Sequence, residues 1–595
     1  MVKLLRNGGN SMNRRHFLTG AAAVAIPARR AAMPMEVTAA LQRREESSGA
    51  SPSTEPIMDR YRLTLNRVLH ETGPAYTSEF LLEDIRATSG RRFTDFSGDV
   101  SGRWIGALSA AAAMYKQEFP VLDEVVHHTI ALQHPEGYFG KTFHFDHPND
   151  EDMALLWGNG RLLVGLMEYY TLKRDPAVLR SAEKLGDFLL RIGPNFNSMK
   201  LANEFNASHF AYSYICWTQQ TEGLAALYAA TKDTRYRDLC AAISERIERR
   251  AGDHVHGYLC SLRGTVNLYN ATGDRAHLQR VEAAWQDVVH SGDILVTGGV
   301  PEAWSPKKKR TEGCAECDWL RLNLALWQAT GNAMYLNTAE RVLLNEFAMN
   351  QFSTGDFGHA LLSELGTPAI VQVRAWWCCT LHGLRAFPDI HRNVFRVDGE
   401  EIFYDLPVDG HIETAEISVQ ATSHLASDGT VRIHAKTVSP RHTLTLRKPS
   451  WARDLNVFVN GRTVDGRTVT NMKAGDVVTT KYAMELREDV LATIESMAQR
   501  KLFFYGPWLL GAASEVNPGY FNELHPENKL IASSAHPANE KADSRFDVPI
   551  AATTVAYIPA EFPEQPSHME LRAVAEQTSI GPTQWEMAFL VKEKA

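Results

Sequence analysis

Long hydrophobic runs are missing from this 595-residue sequence. No stretch reaches the roughly 18 to 20 apolar residues that a helix needs to cross a bilayer, which excludes stable membrane insertion of that kind. A basic surface is missing as well. The formal net charge is −8 and the cationic residues are scattered rather than striped, which excludes nucleic acid as a partner. Cysteine is scarce, with seven in all. Seven is odd, and the spacing makes no compact disulfide framework. What is present is ordinary globular material, with 44% hydrophobic and 22% charged residues. That is enough apolar side chain for several cores, and the length predicts about two to four domains.

The first segment is a targeting signal. "NRRHFLTGAAAVAI" (13–26) places Arg14 and Arg15 before Phe17, Leu18 and a short apolar run. That is the pattern of a twin-arginine export signal. Residues 1–35 are assigned to it, and the polar stretch 36–55 to a linker. Export predicts a periplasmic or secreted protein in an oxidising setting, where thiols need protection.

From 56 to 395 the sequence is helical and repetitive. Tyr170, Tyr228, Tyr269 and Trp327 precede Asp175, Asp233, Asp274 and Asn332 by the same interval. Each unit holds an apolar helix, a Thr-Gly-Asp-type turn and an amphipathic helix, with apolar residues at three and four spacing. The turn stops one helix and caps the next. Repeated hairpins must bury a face on their neighbours. Their uneven spacing favours a closed ring, a mainly α toroid of (α/α)6-barrel type, with the site at one mouth. From 396 to 490 the period switches to two, in "AEISVQATS", "TVRIHAKTV" and "LNVFVNGRTV", which predicts an antiparallel β-sandwich. Residues 491–595 are expected to form a second, smaller β-region with a long loop at 517–546.

Cys216, Cys240 and Cys260 lie in apolar helical text and are expected in the core. The other four fall into two pairs, Cys314 with Cys317 in "RTEGCAECDWL" and Cys378 with Cys379 in "RAWWCCTLHG". Neighbouring cysteines do not readily bridge each other. Thiolates gathered with a carboxylate from two segments form a zinc-type ligand set. Two zinc readings are open. One is a structural site of Cys314, Cys317, Cys378 and Cys379. The other uses Glu312, Cys314, Cys378 and Cys379, with one thiolate also a nucleophile. Upstream, Glu302 in "ILVTGGVPEAW" sits beside Trp304, where a raised pKa would suit a general acid. Asp99 and Trp104 in "FSGDVSGRWIGALS" are further pocket candidates, with packing the simpler role. The acidic, histidine-bearing stretch 143–152 is expected as a solvated loop.

The order "TGGVPEAW", "TEGCAECDWL", "AERVLLNEFAMNQ", "WWCCTLHG" resembles glycoside hydrolase family 127, the β-L-arabinofuranosidases and their relatives. "LTLRKPSWARDLNVFVNG" and "YGPWLLGA" are similar to the family's β-motifs. The resemblance covers roughly residues 60–515. It implies a zinc-dependent retaining glycosidase in which Glu312, Cys314, Cys378 and Cys379 bind the metal. Cys378 then attacks the anomeric carbon, and Glu302 is the acid/base. The sequence also departs from the family. The stretch from Glu302 to Glu312 is short and carries "KKKR" (307–310). Arg161 in "GNGRLL" stands where the family has a histidine. A second family histidine falls near "DHVHGYL", with His256 its nearest equivalent and His254 the alternative. "FGHALLSEL" lacks the family's tyrosine and leaves His359 as the sugar contact. Trp377 is a stacking candidate. These departures suggest a sugar other than plain arabinofuranose, and Arg161 with the lysine-rich loop suggests an acidic one, so the substrate expected is a plant-type or acidic glycan. Two rival expectations are a non-catalytic glycan-binding protein on a four-cysteine zinc site, and an unsaturated-uronyl hydrolase on a similar toroid with Asp in place of Cys.

Overall fold

The Thr-x-Asp turns do what their residues dictate. The computed structural model describes residues 56–70, 76–86, 95–206, 212–304, 309–362, 369–370, 374–490, 500–522, 530–537, 553–558, 565, 567–576 and 584–591. In it, Asp175, Asp233, Asp274 and Asn332 each accept from the backbone N–H two residues on, at 2.8–3.0 Å. Each therefore caps a helix. The residue before each cap, Arg174, Lys232, Gly273 or Gly331, has a φ of 56 to 75°. That left-handed step ends the preceding helix. The hydroxyls of Thr231, Thr272 and Thr330 bond back to the carbonyl four residues earlier and accept from the cap residue's N–H.

Twelve helices of the described residues build the ring. They are α1 (Pro56–Leu69), α2 (Asp99–Tyr115), α3 (Pro120–Ile130), α4 (Asp150–Lys173), α5 (Pro176–Phe196), α6 (Thr221–Thr231), α7 (Thr234–Ser244), α8 (Val255–Thr272), α9 (Arg275–His290), α10 (Gly313–Thr330), α11 (Ala333–Leu344) and α12 (Trp377–Arg392). The inner helices α2, α4, α6, α8, α10 and α12 pack each on the next, and α12 returns to α2. The chain thus closes the expected (α/α)6 toroid, with α1 packed on α12.

The joint between α2 and α4 is backbone-close. A Cβ on Gly102 would stand 2.4 Å from the Leu162 nitrogen, one on Gly158 2.2 Å from the Ser97 oxygen, and one on Gly165 2.3 Å from the Gly102 oxygen. These are backbone atoms and cannot swing aside, so only glycine lets the two helices touch.

After the ring come β1 (Phe395–Asp398), β2 (Glu401–Tyr404), β3 (Gly410–Glu413), β4 (Ser418–His424), β5 (Thr430–Thr437), β6 (Thr443–Leu446), β7 (Asp454–Val459), β8 (Arg462–Val464), β9 (Thr468–Val469) and β10 (Val477–Ala483). They form a six-stranded sheet, β8-β7-β10-β5-β4-β3, and a four-stranded sheet, β9-β6-β2-β1. All pairs are antiparallel except β2 with β6. Alternate residues such as Val419, Ala421, Val431 and Ile433 from one sheet, and Ile402, Tyr404, Leu444 and Leu446 from the other, join one apolar core.

The last β-region is larger than expected. Nine strands form one sheet, from Leu486–Val490 at one edge to Ala369–Ile370, contributed from the ring segment, at the other. Asn345 ties this sheet to the end of α11, donating to the Pro507 carbonyl at 3.0 Å and accepting from the Leu509 N–H at 2.7 Å. Leu530–Pro537, inside the expected long loop, is a strand. Its backbone pairs with Thr553–Ile558 and with Phe589–Val591, partners too distant in sequence for composition to reveal. The export signal and linker lie outside the described residues.

Candidate active site at the mouth of the ring

The chemistry-bearing residues collect at helix starts. Glu312 is the residue before α10 and Trp376 the residue before α12, both extended. Cys314 therefore sits in the first turn of α10, and Cys378 and Cys379 in the first turn of α12. The N-terminal end of a helix carries partial positive charge and favours thiolates. Gly313 brings the two starts together, because a Cβ there would stand 2.8 Å from the Cys379 Cβ. One ligand atom from each of Glu312, Cys314, Cys378 and Cys379 lies within 4.8 Å of the others. The Cys314 and Cys379 sulfurs are 3.8 Å apart. Cys317 is fully buried and stands outside this group among the described residues. Soft sulfurs with one hard oxygen at this spacing fit a zinc-type cation.

A second layer of charge surrounds the sulfurs. His254, the residue before α8, brings its Nε2 to 2.9 Å from the Glu312 carboxylate. Burial opposes protonation of His254, but the Glu312 charge and hydrogen bond raise it above the ordinary imidazole value. Trp157 of α4 stacks on His254 at 5.1 Å, and its indole N–H donates to Asp99 at 2.9 Å. Asp99 accepts from Arg103 Nε at 2.7 Å, and Arg103 Nη1 donates to the Cys314 sulfur at 3.5 Å.

Glu302 stands beside this group. Its backbone is fixed on both sides, with Glu302 N–H donating to Arg310 O at 2.7 Å and Val255 N–H donating to Glu302 O at 2.9 Å. Its carboxylate pairs with Arg310 and lies 3.6 Å from His359 Nε2. His254, Glu302 and Glu312 also offer atoms within 4.8 Å of one another. Burial, then the Glu312 charge, push the Glu302 pKa up to about 7 against the pull of Arg310. Trp304 has a different neighbourhood, packed on Tyr258 and Arg249. Burial opposes ionisation of all three thiols. Cys314 and Cys379 are held up, while hydrogen bonds from both, with Arg103 and His359 near, draw Cys378 well below the usual thiol range.

The expected site residues thus divide. Glu302, Glu312, Cys314, Cys378, Cys379 and His359 meet at the mouth. Trp377 stacks on Trp376 at 4.7 Å, and its carbonyl accepts from the Tyr76 hydroxyl at 3.3 Å. His256 and Arg161 depart from expectation. His256 is 0% exposed and its Nδ1 hydrogen-bonds the Asp318 carboxylate. Arg161 is 2% exposed, 3.4 Å from Glu222, and donates to the Cys260 sulfur at 3.1 Å. Both are enclosed by these partners beneath the sulfurs, and His254 is the histidine that reaches Glu312. Asp99 supports the site, while Trp104 packs in the core. In the 143–152 stretch, Asn149 caps α4, and Asp152 accepts from the His144 and Asn149 N–H groups to close a capping box.

His256, Cys260, Asp318 and His382 make another close group, but cations already occupy its surroundings. Arg263 and Arg321 bond Asp318, Arg161 bonds Cys260 and Arg103 bonds His382. The group plugs the ring under the sulfurs rather than offering a metal site.

Arg103 and Trp157 were missed from the sequence, and Arg310 was seen only as part of the 307–310 charge run. Asp99 and Arg103 are four apart on a helix, a spacing that signals an ion pair. Trp157 carried no signal of its own.

A helical ring with acids and thiols gathered at one mouth, backed by β-sheets, has the make-up of a carbohydrate-cleaving enzyme. The comparisons make this specific. Residues 73–392 match the family described as β-L-arabinofuranosidase, GH127 catalytic domain, and residues 402–484 match the GH127 middle domain. The chain belongs to this family and is a glycoside hydrolase. A GH127 β-L-arabinofuranosidase from Geobacillus stearothermophilus T6 is 16% identical, with 91% of this chain and 99% of that chain covered at a TM-score of 0.68. A second GH127 β-arabinofuranosidase is 16% identical, with 93% and 95% covered at a TM-score of 0.65. At such identity the likeness carries the fold. No curated protein matches the chain.

Proposed function

We propose that the protein is an exported, zinc-dependent, retaining glycosidase of β-L-arabinofuranosidase type. In this reading Cys378 is the nucleophile and Glu302 the acid/base. The observation that carries it is the convergence of Glu312, Cys314, Cys378 and Cys379 beside Glu302 at one mouth of the ring. Zinc held by those four residues would keep the thiols ionised and shielded from oxidation.

The steps follow from the residues. The Cys378 thiolate attacks the anomeric carbon as the bond to the leaving oxygen breaks. Glu302 gives its proton to that oxygen. The sugar is now a thioglycoside. Glu302, as carboxylate, takes a proton from water, the water oxygen attacks the anomeric carbon and the thiolate departs. Two inversions give net retention, outside the usual paired-carboxylate scheme. A pKa near 7 suits Glu302 to both duties, since both protonation states are populated at neutral pH. Proton NMR of the first product formed tests the scheme, and an inverted anomer would sink it. Zinc is checked by metal analysis of the same sample.

The sugar is proposed to be plant-type or acidic. The acidic option comes from the basic 307–310 stretch, whose Arg310 is half exposed but already pairs with Glu302. Arg161 gives no support, being buried and paired. Equal turnover of neutral and carboxylated glycosides would remove the acidic option. The four-cysteine alternative is disfavoured by the place of Cys317, and the uronyl-hydrolase alternative by the family. Periplasmic or secreted location stays a proposal from the twin arginines, tested by the export of a fused reporter.

A further inference from the structure

The motif "GDVSGR" puts Asp99 and Arg103 one helical turn apart at the start of α2, the inner helix closing the ring against α12. Arg103 is buried and uses its guanidinium three ways. Nε donates to Asp99 at 2.7 Å. Nη1 donates to the Cys314 sulfur at 3.5 Å and to His382 Nδ1 at 2.8 Å. His382 accepts at Nδ1, so its proton sits on Nε2, which lies 3.5 Å from Asp318. Asp99 also accepts from Trp157, Trp157 stacks on His254, and His254 bonds Glu312. The chain of contacts therefore leaves one proposed zinc ligand, Glu312, and returns to another, Cys314.

We infer that Arg103 is a positioning residue that makes Cys314 the spectator sulfur of the centre and so leaves the attack to Cys378. The inference rests on the proposed cysteine chemistry and adds how one of three adjacent sulfurs is singled out. A charge-assisted N–H bond to a thiolate engages one of its lone pairs and lowers its electron density. A sulfur so held is a poorer nucleophile and a fixed ligand. Three thiolates and a carboxylate also outweigh the charge of one divalent ion, and Arg103 supplies a buried counter-charge where water is scarce. Arginine is required because only its planar fork can reach Asp99, His382 and Cys314 together; a lysine offers a point charge.

The test uses cobalt as a spectroscopic stand-in for zinc in the full-length protein. Arg103→Leu removes all three bonds. Arg103→Lys keeps the charge beside Asp99, so the buried carboxylate stays paired and the fold is preserved. Both variants should shift the sulfur-to-cobalt charge-transfer band to lower energy. Both should bind zinc about tenfold to a hundredfold more weakly in chelator competition, with thermal unfolding still cooperative in Arg103→Lys. A folded Arg103→Lys with the wild-type band and wild-type zinc affinity overturns the inference. Wild-type protein that takes up no cobalt overturns it together with the metal reading. Cys378→Ser that still turns over substrate, beside an Arg103→Lys band that moves, overturns the nucleophile assignment and with it the spectator role.

Discussion

Arg310 lays its guanidinium on the carboxylate of Glu302, eight residues before it in the chain. A general acid must be neutral to give its proton, and Arg310 favours the anion. Burial and the neighbouring Glu312 win, leaving Glu302 at about 7. The limb of kcat/KM that needs protonated Glu302 should therefore fall as pH rises through about 7. Arg310→Gln removes the cation, so the proton stays on to higher pH. Arg310 is half exposed, which limits the shift to about one pH unit upward. A pH–rate profile of the two proteins checks this, and a downward shift would contradict the assignment.

The two cysteine pairs give opposite expectations. Cys378→Ser should cut turnover on the order of a thousandfold or more while the protein stays folded. Cys317→Ser should keep one bound zinc per chain and most activity, because Cys317 lies outside the sulfur group. Its cost is stability, about 1–3 kcal/mol for a hydroxyl left in a buried apolar place. Metal analysis, kinetics and thermal melts on both variants separate the outcomes. Loss of zinc in Cys317→Ser would restore the four-cysteine site.

Helix packing offers a prediction free of catalysis. Gly102→Ala would place a methyl 2.4 Å from a backbone nitrogen of α4. No rotamer change relieves that contact, so α2 must move off α4. Overpacking of this kind costs about 1–3 kcal/mol, occasionally more. The same shift carries Arg103 and Asp99 away from the sulfurs. Melting temperature and zinc affinity should fall together, whereas Gly519→Ala, with nothing within 4 Å of the added carbon, should leave zinc affinity as it is.

The ring was legible in the sequence because its turns are local. Asp175, Asp233, Asp274 and Asn332 act through hydrogen bonds two residues long, and the aromatic five residues earlier marks the period. The sulfur group was legible by composition, since few other arrangements explain adjacent thiols near a Glu-x-Cys. What stayed hidden depends on direction. His254 precedes the first residue of α8 and faces Glu312, while His256 lies inside the first turn and faces the ring axis. Two residues of sequence separate a site residue from a structural one. Arg161 lies eleven residues into α4, about 16 Å below its start, too deep for the mouth. The last sheet was hidden because its strands pair across long separations, with one edge drawn from residues 369–370.

Acid stability carries the last prediction. His382 is buried, and burial together with Arg103 lowers its pKa from 6.5 to about 3. His256 is lowered in the same direction by burial and Arg103. The folded protein therefore keeps both rings neutral, while the unfolded chain protonates them below about 6.5. In that window the unfolded state binds more protons, so stability falls as pH falls, by about 1.4 kcal/mol per pH unit for each histidine at most. Asp318 joins only at lower pH. Burial opposes its charge, but Arg263 and the hydrogen bond from His256 hold its carboxyl well below the usual range, so its contribution is lost beneath about 4. His382→Gln removes one titrating group while keeping a donor and an acceptor. Its denaturant midpoint should depend less on pH between about 6.5 and 4 than that of the wild type, even if its stability at pH 8 is lower. Parallel slopes for the two proteins would mean that His382 is already protonated in the fold, and Arg103 could then not donate to its Nδ1.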